Sequence, residues 1–280
     1  MLLYRKVHVI ILLFVVLNVV MASTALANGQ PTLAQIPLEL SKNASLPLSD
    51  NISLQLKIRD AKALADTLAT FKGAKVVSIN EKVLTVELNS RPTFSGEVAA
   101  FHTQSSFVVD NDELSTMEFI HGFTSDLQAG WKLEDMERFV SQYISEPSYV
   151  HGFNIASVVA KDRSGDCTEF AVLSTALARA LELPARVVFG AAIIEVSSHQ
   201  SSDSSLHANT KVSAFGHAWT EVWHDGEWQI VDAALHNAPY MNVYYLPTSS
   251  LSNEGAGFMF NLLETMSMLP EQIMQVENLQ

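Results

Sequence analysis

The sequence predicts a mixed α+β protein whose chemistry is carried by one helix and one hairpin. Three stretches say so. Ser164 to Pro184 reads SGDCTEFAVLSTALARALELP, with Phe170, Leu173, Leu177 and Leu181 spaced by three and four along one helical face. Ala185 to Ile194, ARVVFGAAII, is a continuous apolar run that suits a strand buried on both faces. His217 to Trp223 and Trp228 to Asp232 are aromatic-rich runs flanking Asp225-Gly226, a strong hairpin signal.

The helix holds the only cysteine of the chain, Cys167. Ser164 or Asp166 can cap its start, which places Cys167 in or just before the first turn. Free backbone N–H groups and the positive dipole end favour thiolate there, so the thiol pKa is expected to fall. Gly165 is expected to let the backbone approach a substrate. The alternative is a buried, inert cysteine.

In the hairpin, the two-residue turn sets Trp223 opposite Trp228 and Trp219 opposite Asp232. His217 shares a face with Trp219, because side chains repeat every two residues. His217 and Asp232 then lie one diagonal step apart, within reach of each other. The order Cys167, His217, Asp232, at spacings of 50 and 15 residues, supplies a sulfur nucleophile, an imidazole to exchange protons and a carboxylate to orient the ring.

Upstream, Leu54, Leu56 and Ile58 alternate as a strand would. Asp60 caps a helix with apolar positions at Ala61, Leu64, Leu68 and Phe71, ended by Gly73. Lys75 to Ile79 and Val83 to Leu88 form a hairpin around Asn80-Glu81-Lys82. Ser106 to Val109 suits a strand, and Met117 to Ile120 fits strand or helix. His102 and His121 read as ordinary surface or interface histidines. Leu133 to Glu146 is an amphipathic helix closed by Pro147. Residues 197–213 form a polar Ser-rich loop with His199 and His207. Phe258 to Met268 is helical and Met-rich.

The chain has 280 residues, is 48% hydrophobic and carries a net charge of −13. Beyond residue 27, 15 basic side chains face 30 acidic ones, which argues against nucleic acid or an anionic membrane surface as a partner. Arg5-Lys6, an apolar run from Val7 to Met21 and Ala25-Leu26-Ala27 form a targeting segment with a cleavage site, and the mature chain is expected to begin at Asn28. That run is short for a bilayer span. The protein is therefore expected to be exported, periplasmic or secreted, with no stable membrane span after cleavage. One cysteine forms no internal disulfide, and a spare thiol in an oxidising compartment is a liability unless buried or used. No cofactor is expected. Cys167, His199, His207, His217 and His224 lack metal-ligand spacing, and no acidic loop suits calcium.

The chain resembles the transglutaminase-like superfamily. The matching pieces are Gly165 to Phe170, Ala178 to Leu181, Leu183 to Val188, Gly190, the block His217 to Val222, and Trp228 to Asp232. They span roughly Lys132 to Asp232. Ala233-Ala234 stands where the family often has Pro-Thr. The resemblance implies a papain-like core, the cysteine helix packed on an antiparallel sheet, with Cys167 as nucleophile, His217 as general acid/base and Asp232 as orienting carboxylate. The Cys167 N–H is one expected oxyanion donor, and Trp131 is a second candidate, though more readily a packed aromatic. Glu169 reads as a first-turn carboxylate, His236 as a surface residue, and Trp219 as sheet packing or a cleft wall.

The expected division is a signal peptide at 1–27, a linker at 28–51, a small β-α-β-β module at 52–110, a transglutaminase-like catalytic core at 111–240 and a helical tail at 241–280. The expected function is an exported cysteine hydrolase, a protease or amidase, acting on a peptide or protein amide through a thioester. The alternatives are a protein-glutamine acyltransferase using the same three residues, and a non-enzymatic binding module whose N-terminal part binds a protein partner.

Overall fold

The apolar periods of the sequence become strands and helices across residues 35–147, 153–198 and 209–279, the parts that the computed structural model describes. The expected targeting segment, His199 and His207 lie outside the described residues. In chain order the elements are β1 (Gln35–Ile36), β2 (Leu38–Leu40), β3 (Asn51–Lys57), α1 (Ala61–Leu68), β4 (Phe71–Asn80), β5 (Val83–Phe94), α2 (Leu114–Thr124), α3 (Leu133–Tyr143), β6 (Glu146–Pro147), α4 (Ala156–Asp162), β7 (Ser164–Gly165), α5 (Cys167–Ala180), β8 (Ala185–Ser198), β9 (Asn209–His224), β10 (Glu227–Val231), β11 (Asn242–Ser250), α6 (Phe258–Ser267) and β12 (Gln272–Asn278). The fold is α+β. One sheet has the order β1-β9-β8-β11 with β10 also on β9, a second runs β2-β12-β3-β5-β4, and β6 and β7 form a short parallel pair. No helix among the described residues is long and apolar enough to cross a membrane.

The N-terminal module forms as its pattern dictates, with differences at its margins. Asp60 caps α1 by accepting the Ala63 N–H at 2.9 Å. The helix stops at Leu68, and Phe71, expected on it, opens β4 instead. Gly73 is not its cap: with φ of 91° it sits where the β4–β5 register shifts, between Lys72 and Ala74. The stretch expected as a linker contributes β1, which pairs with β9, and β2, which pairs with β12. Residues 241–280 are not a helical tail. They carry one helix between two strands, and β12 lies antiparallel on β3, so the C-terminal strand completes the N-terminal sheet. Residues 106–109 make a turn rather than a strand, closed by Ser106 N–H on the Val109 carbonyl at 2.9 Å. Met117 to Ile120 is helical, within α2.

The sheet that positions the chemistry is built around β8 and β9. Ala185, Val187 and Phe189 pack with α5, while Ala191 and Ile193 join the core of the other sheet. Val188 packs with Trp219 and Tyr245, and Ala192 and Ile194 pack with Phe215. This explains the unbroken apolar run: each side of β8 is covered. Gly190 pairs with His217, Val188 with Trp219 and Arg186 with Glu221, so these residues share one face. Gly190 is required there, since a Cβ would stand 2.0 Å from the Leu246 carbonyl oxygen.

Candidate active site

Helix α5 opens at Cys167. Asp166 caps it, its carboxylate accepting the Thr168 N–H at 2.9 Å, while Glu169 reaches back to accept the Asp166 N–H at 2.9 Å. This reciprocal pair is a capping box. It is fully interior: Glu169 also accepts the Asn154 N–H at 2.9 Å, and a Cβ on Gly165 would stand 2.3 Å from the Glu169 Cβ. Gly165 thus makes room for the capping carboxylate. Burial, then the Asp166 charge, pushes the Glu169 carboxyl up, so α5 starts on two acids that disfavour a second negative charge.

The helix is fixed to β9 by Thr220, whose hydroxyl donates to the Ala171 carbonyl at 2.7 Å and meets the Thr175 hydroxyl at 3.1 Å. The outer edge of β9 is covered by β1 at Ala214 and Phe215 and by β10 from Thr220 to His224. Among the described residues, positions 216–219 have neither neighbour on that edge, and the Ala218 N–H stands close enough to the Cys167 sulfur to favour its thiolate. Cys167 is 2% exposed.

The hairpin has the expected register, Trp228 opposite Trp223 and Val231 opposite Thr220. Asp225 and Gly226 both have positive φ, 54° and 84°, as the two-residue turn requires. The diagonal contact follows: His217 Nε2 lies 2.8 Å from Asp232 Oδ2. Tyr245 of β11 donates its hydroxyl to the same oxygen at 2.9 Å, and the Leu235 N–H reaches Oδ1 at 3.2 Å. Asp232 is therefore an acceptor throughout, and the neutral imidazole carries its proton on Nε2. Its Nδ1 is buried and has no hydrogen-bond partner among the described residues. Trp219 stacks on the imidazole at 6.2 Å and meets Tyr245 edge-on, shielding the pair from water.

The structure joins His217 to Asp232 and sets Cys167 against the backbone of the residue after His217. Among the described residues no hydrogen bond links the sulfur to the ring. The expected fall in the thiol pKa is not found. Burial raises it well above the ordinary value, and the Asp166 charge adds to this, against the opposing Ala218 N–H. A thiolate here needs a compensating positive charge.

Other residues stand apart from their sequence reading. Trp131 packs edge-on against Phe123 at 6.0 Å. His102 is buried rather than at the surface. His236 is held by Glu137, Nδ1 to Oε2 at 3.3 Å, and Glu137 also accepts the Asp232 N–H at 2.7 Å. Neither Glu137 nor Tyr245 was marked by any motif. A tyrosine in an apolar strand and a glutamate on an amphipathic helix look like packing and solvent-facing positions.

Residues 121–233 match the family model of the transglutaminase-like superfamily. This stretch is a transglutaminase-like core. It contains Cys167, His217, Asp232 and Glu137, whereas Tyr245 lies beyond it. Among solved structures, the chain is similar to a candidate cysteine protease from Cytophaga hutchinsonii at 12% identity, over 75% of this chain and 79% of that one, with a TM-score of 0.42. It is also similar to the periplasmic domain of TgpA from Pseudomonas aeruginosa bound to ethylmercury, at 16% identity over 60% and 67% of the two chains, TM-score 0.37. Red sea bream transglutaminase shares 10% identity over 68% of this chain and 46% of its own, TM-score 0.28. No curated protein matches the chain.

Proposed function

We propose that the transglutaminase-like core is a cysteine hydrolase that opens peptide or protein amides, with Cys167 as nucleophile, His217 as general acid/base and Asp232 as the residue that orients His217. The observation that carries this is the 2.8 Å contact from His217 Nε2 to Asp232, which leaves Nδ1 buried and open on the residue next to Ala218, whose N–H acts on the thiol. Nδ1 takes the thiol proton as the sulfur attacks the amide carbon. The imidazolium so formed is stabilised by Asp232 and supplies the positive charge that the thiolate needs. It then gives the proton to the leaving amine, and water releases the acyl group from the thioester. The Cys167 N–H, first in its helix, is the donor best placed for the developing oxyanion.

The first half-reaction is the same if an amine, rather than water, takes the acyl group, and cross-linking is the second reading. Incubating the purified protein with a glutaminyl peptide and a labelled primary amine separates the two. Free acid or a new peptide terminus supports hydrolysis, and incorporated amine supports transfer. If Cys167→Ala forms either product at the wild-type rate, the nucleophile assignment is wrong. Binding without chemistry remains if neither product forms.

We also place the protein outside the cytoplasm, on the sequence of residues 1–27. Sequencing the mature N-terminus checks this, with Asn28 as the expected first residue.

A further inference from the structure

A cavity of about 800 Å³ lies where α1, β4 and β5 meet the start of β8 and the end of β11. That is the size of a small-ligand pocket. It is distinct from the cysteine site. Arg186 and Glu221 share a sheet face with Gly190 and His217, but buried Val188 and Trp219 fill the face between them.

Two side chains with donors that no protein group holds among the described residues line it. The Arg186 side chain is 9% exposed, with its guanidinium 3.9 Å from the centre of the Phe94 ring. Its Nε lies 3.5 Å from Glu221 Oε2, an ion pair without a hydrogen bond, and no hydrogen bond holds its terminal nitrogens among the described residues. His102 is 4% exposed, and its Nδ1 accepts the Ala99 N–H at 3.0 Å. The neutral ring therefore carries its proton on Nε2, which also lacks a partner among the described residues. Burial, then the Arg186 charge, pushes the His102 pKa down to about 4, so the ring stays a neutral donor at pH 7. A buried guanidinium fork beside an N–H suits a planar carboxylate. Phe71, Phe94, Leu251 and Met268 supply apolar wall. The exposed carboxylates Asp66, Glu97 and Glu264 stand around the opening. They disfavour any anion, a dianion such as phosphate more than the single charge of a carboxylate.

We infer that this cavity binds a peptide C-terminus with an apolar last residue, its carboxylate on Arg186 and His102 and its side chain among Phe71, Phe94 and Leu251. The site serves recognition, whatever reaction Cys167 performs.

The test is calorimetric titration of the full chain with acetyl-Ala-Phe, with the same peptide amidated, and with inorganic phosphate. Saturable binding of the free acid is expected, at least tenfold tighter than the amide, with phosphate failing to compete. Arg186→Lys keeps the charge beside Glu221 but loses the fork, and Ala63→Trp narrows the cavity without touching either donor. Each is expected to weaken binding at least tenfold, and Cys167→Ala is expected to leave it unchanged. The inference is overturned by any of four results: no binding of the acid up to about 10 mM, far weaker than a built site gives; equal binding of the amide; competition by phosphate; or loss of binding in Cys167→Ala. Unchanged binding in both Arg186→Lys and Ala63→Trp overturns it as well.

Discussion

Tyr245 hydrogen-bonds Asp232 at 2.9 Å, on the same Oδ2 that holds His217 at 2.8 Å. One oxygen thus ties a residue outside the family-matched stretch to the ring inside it. Burial and the Asp232 charge hold the Tyr245 hydroxyl well above its ordinary pKa, so it remains a donor at neutral pH. It fixes the carboxylate that fixes the imidazole.

Tyr245→Phe removes that donor and keeps the ring packed on Trp219. A hydrogen bond to a charged group contributes about 1.5–3 kcal/mol. Because the carboxylate keeps its other partners, roughly a tenfold fall in kcat for glutaminyl-peptide turnover is expected, with KM little changed. A kcat equal to wild type would show that Asp232 needs no help from β11.

Asp232→Asn keeps the size of the side chain and can present an amide N–H to Nε2, which favours the tautomer with the proton on Nδ1. The ring can then no longer take the thiol proton. By analogy with other triads the rate falls by on the order of a thousandfold or more. Circular dichroism and thermal melting should remain close to wild type, and steady-state turnover reads the effect.

The legible part of this protein was the part governed by local period and turn chemistry. The Asp225-Gly226 turn sets the hairpin register, and that register alone puts His217 and Asp232 on one face. Asp60 and Asp166 were legible as caps because a cap acts on N–H groups two or three residues away. Tyr245 and Glu137 were not, because they reach Asp232 from 13 and 95 residues away in sequence and carry no spacing signal. The thiol pKa went the other way for the same reason. The helix start is visible in sequence, whereas the burial of Cys167 is a product of tertiary packing. Nor does period reveal that β12 pairs with β3, since a short strand after a helix has no local mark of its partner.

Gly190→Ala tests the close approach of β8 to β11. Its Cβ would meet backbone at 2.0 Å and the Trp219 ring at 2.9 Å, so neither neighbour can simply rotate away. Overpacking of this kind costs about 3 kcal/mol. A large drop in Tm is expected, and an unchanged Tm would mean that the two strands part easily.

Glu221 gives stability a pH dependence of its own. Burial raises its pKa from 4.5 to about 7, against the opposing effects of Arg186 and the Phe94 N–H. Between those values the folded chain holds a proton that the unfolded chain has released. Its contribution is therefore full below about pH 4.5 and is lost as pH rises through about 7. Thermal melts across that range should show a downward slope that is flatter in Glu221→Gln. Equal slopes would assign the titration to another group.

The central claim is that His217 takes the proton of Cys167, and the rate of Cys167 alkylation by iodoacetamide as a function of pH tests it most directly. No substrate has to be known, and the single cysteine makes the signal unambiguous. The account predicts that the wild-type protein is alkylated at neutral pH, whereas His217→Ala reacts only once the pH approaches the raised range of a buried, unassisted thiol. Wild type and His217→Ala reacting at the same rate at pH 7 would contradict it.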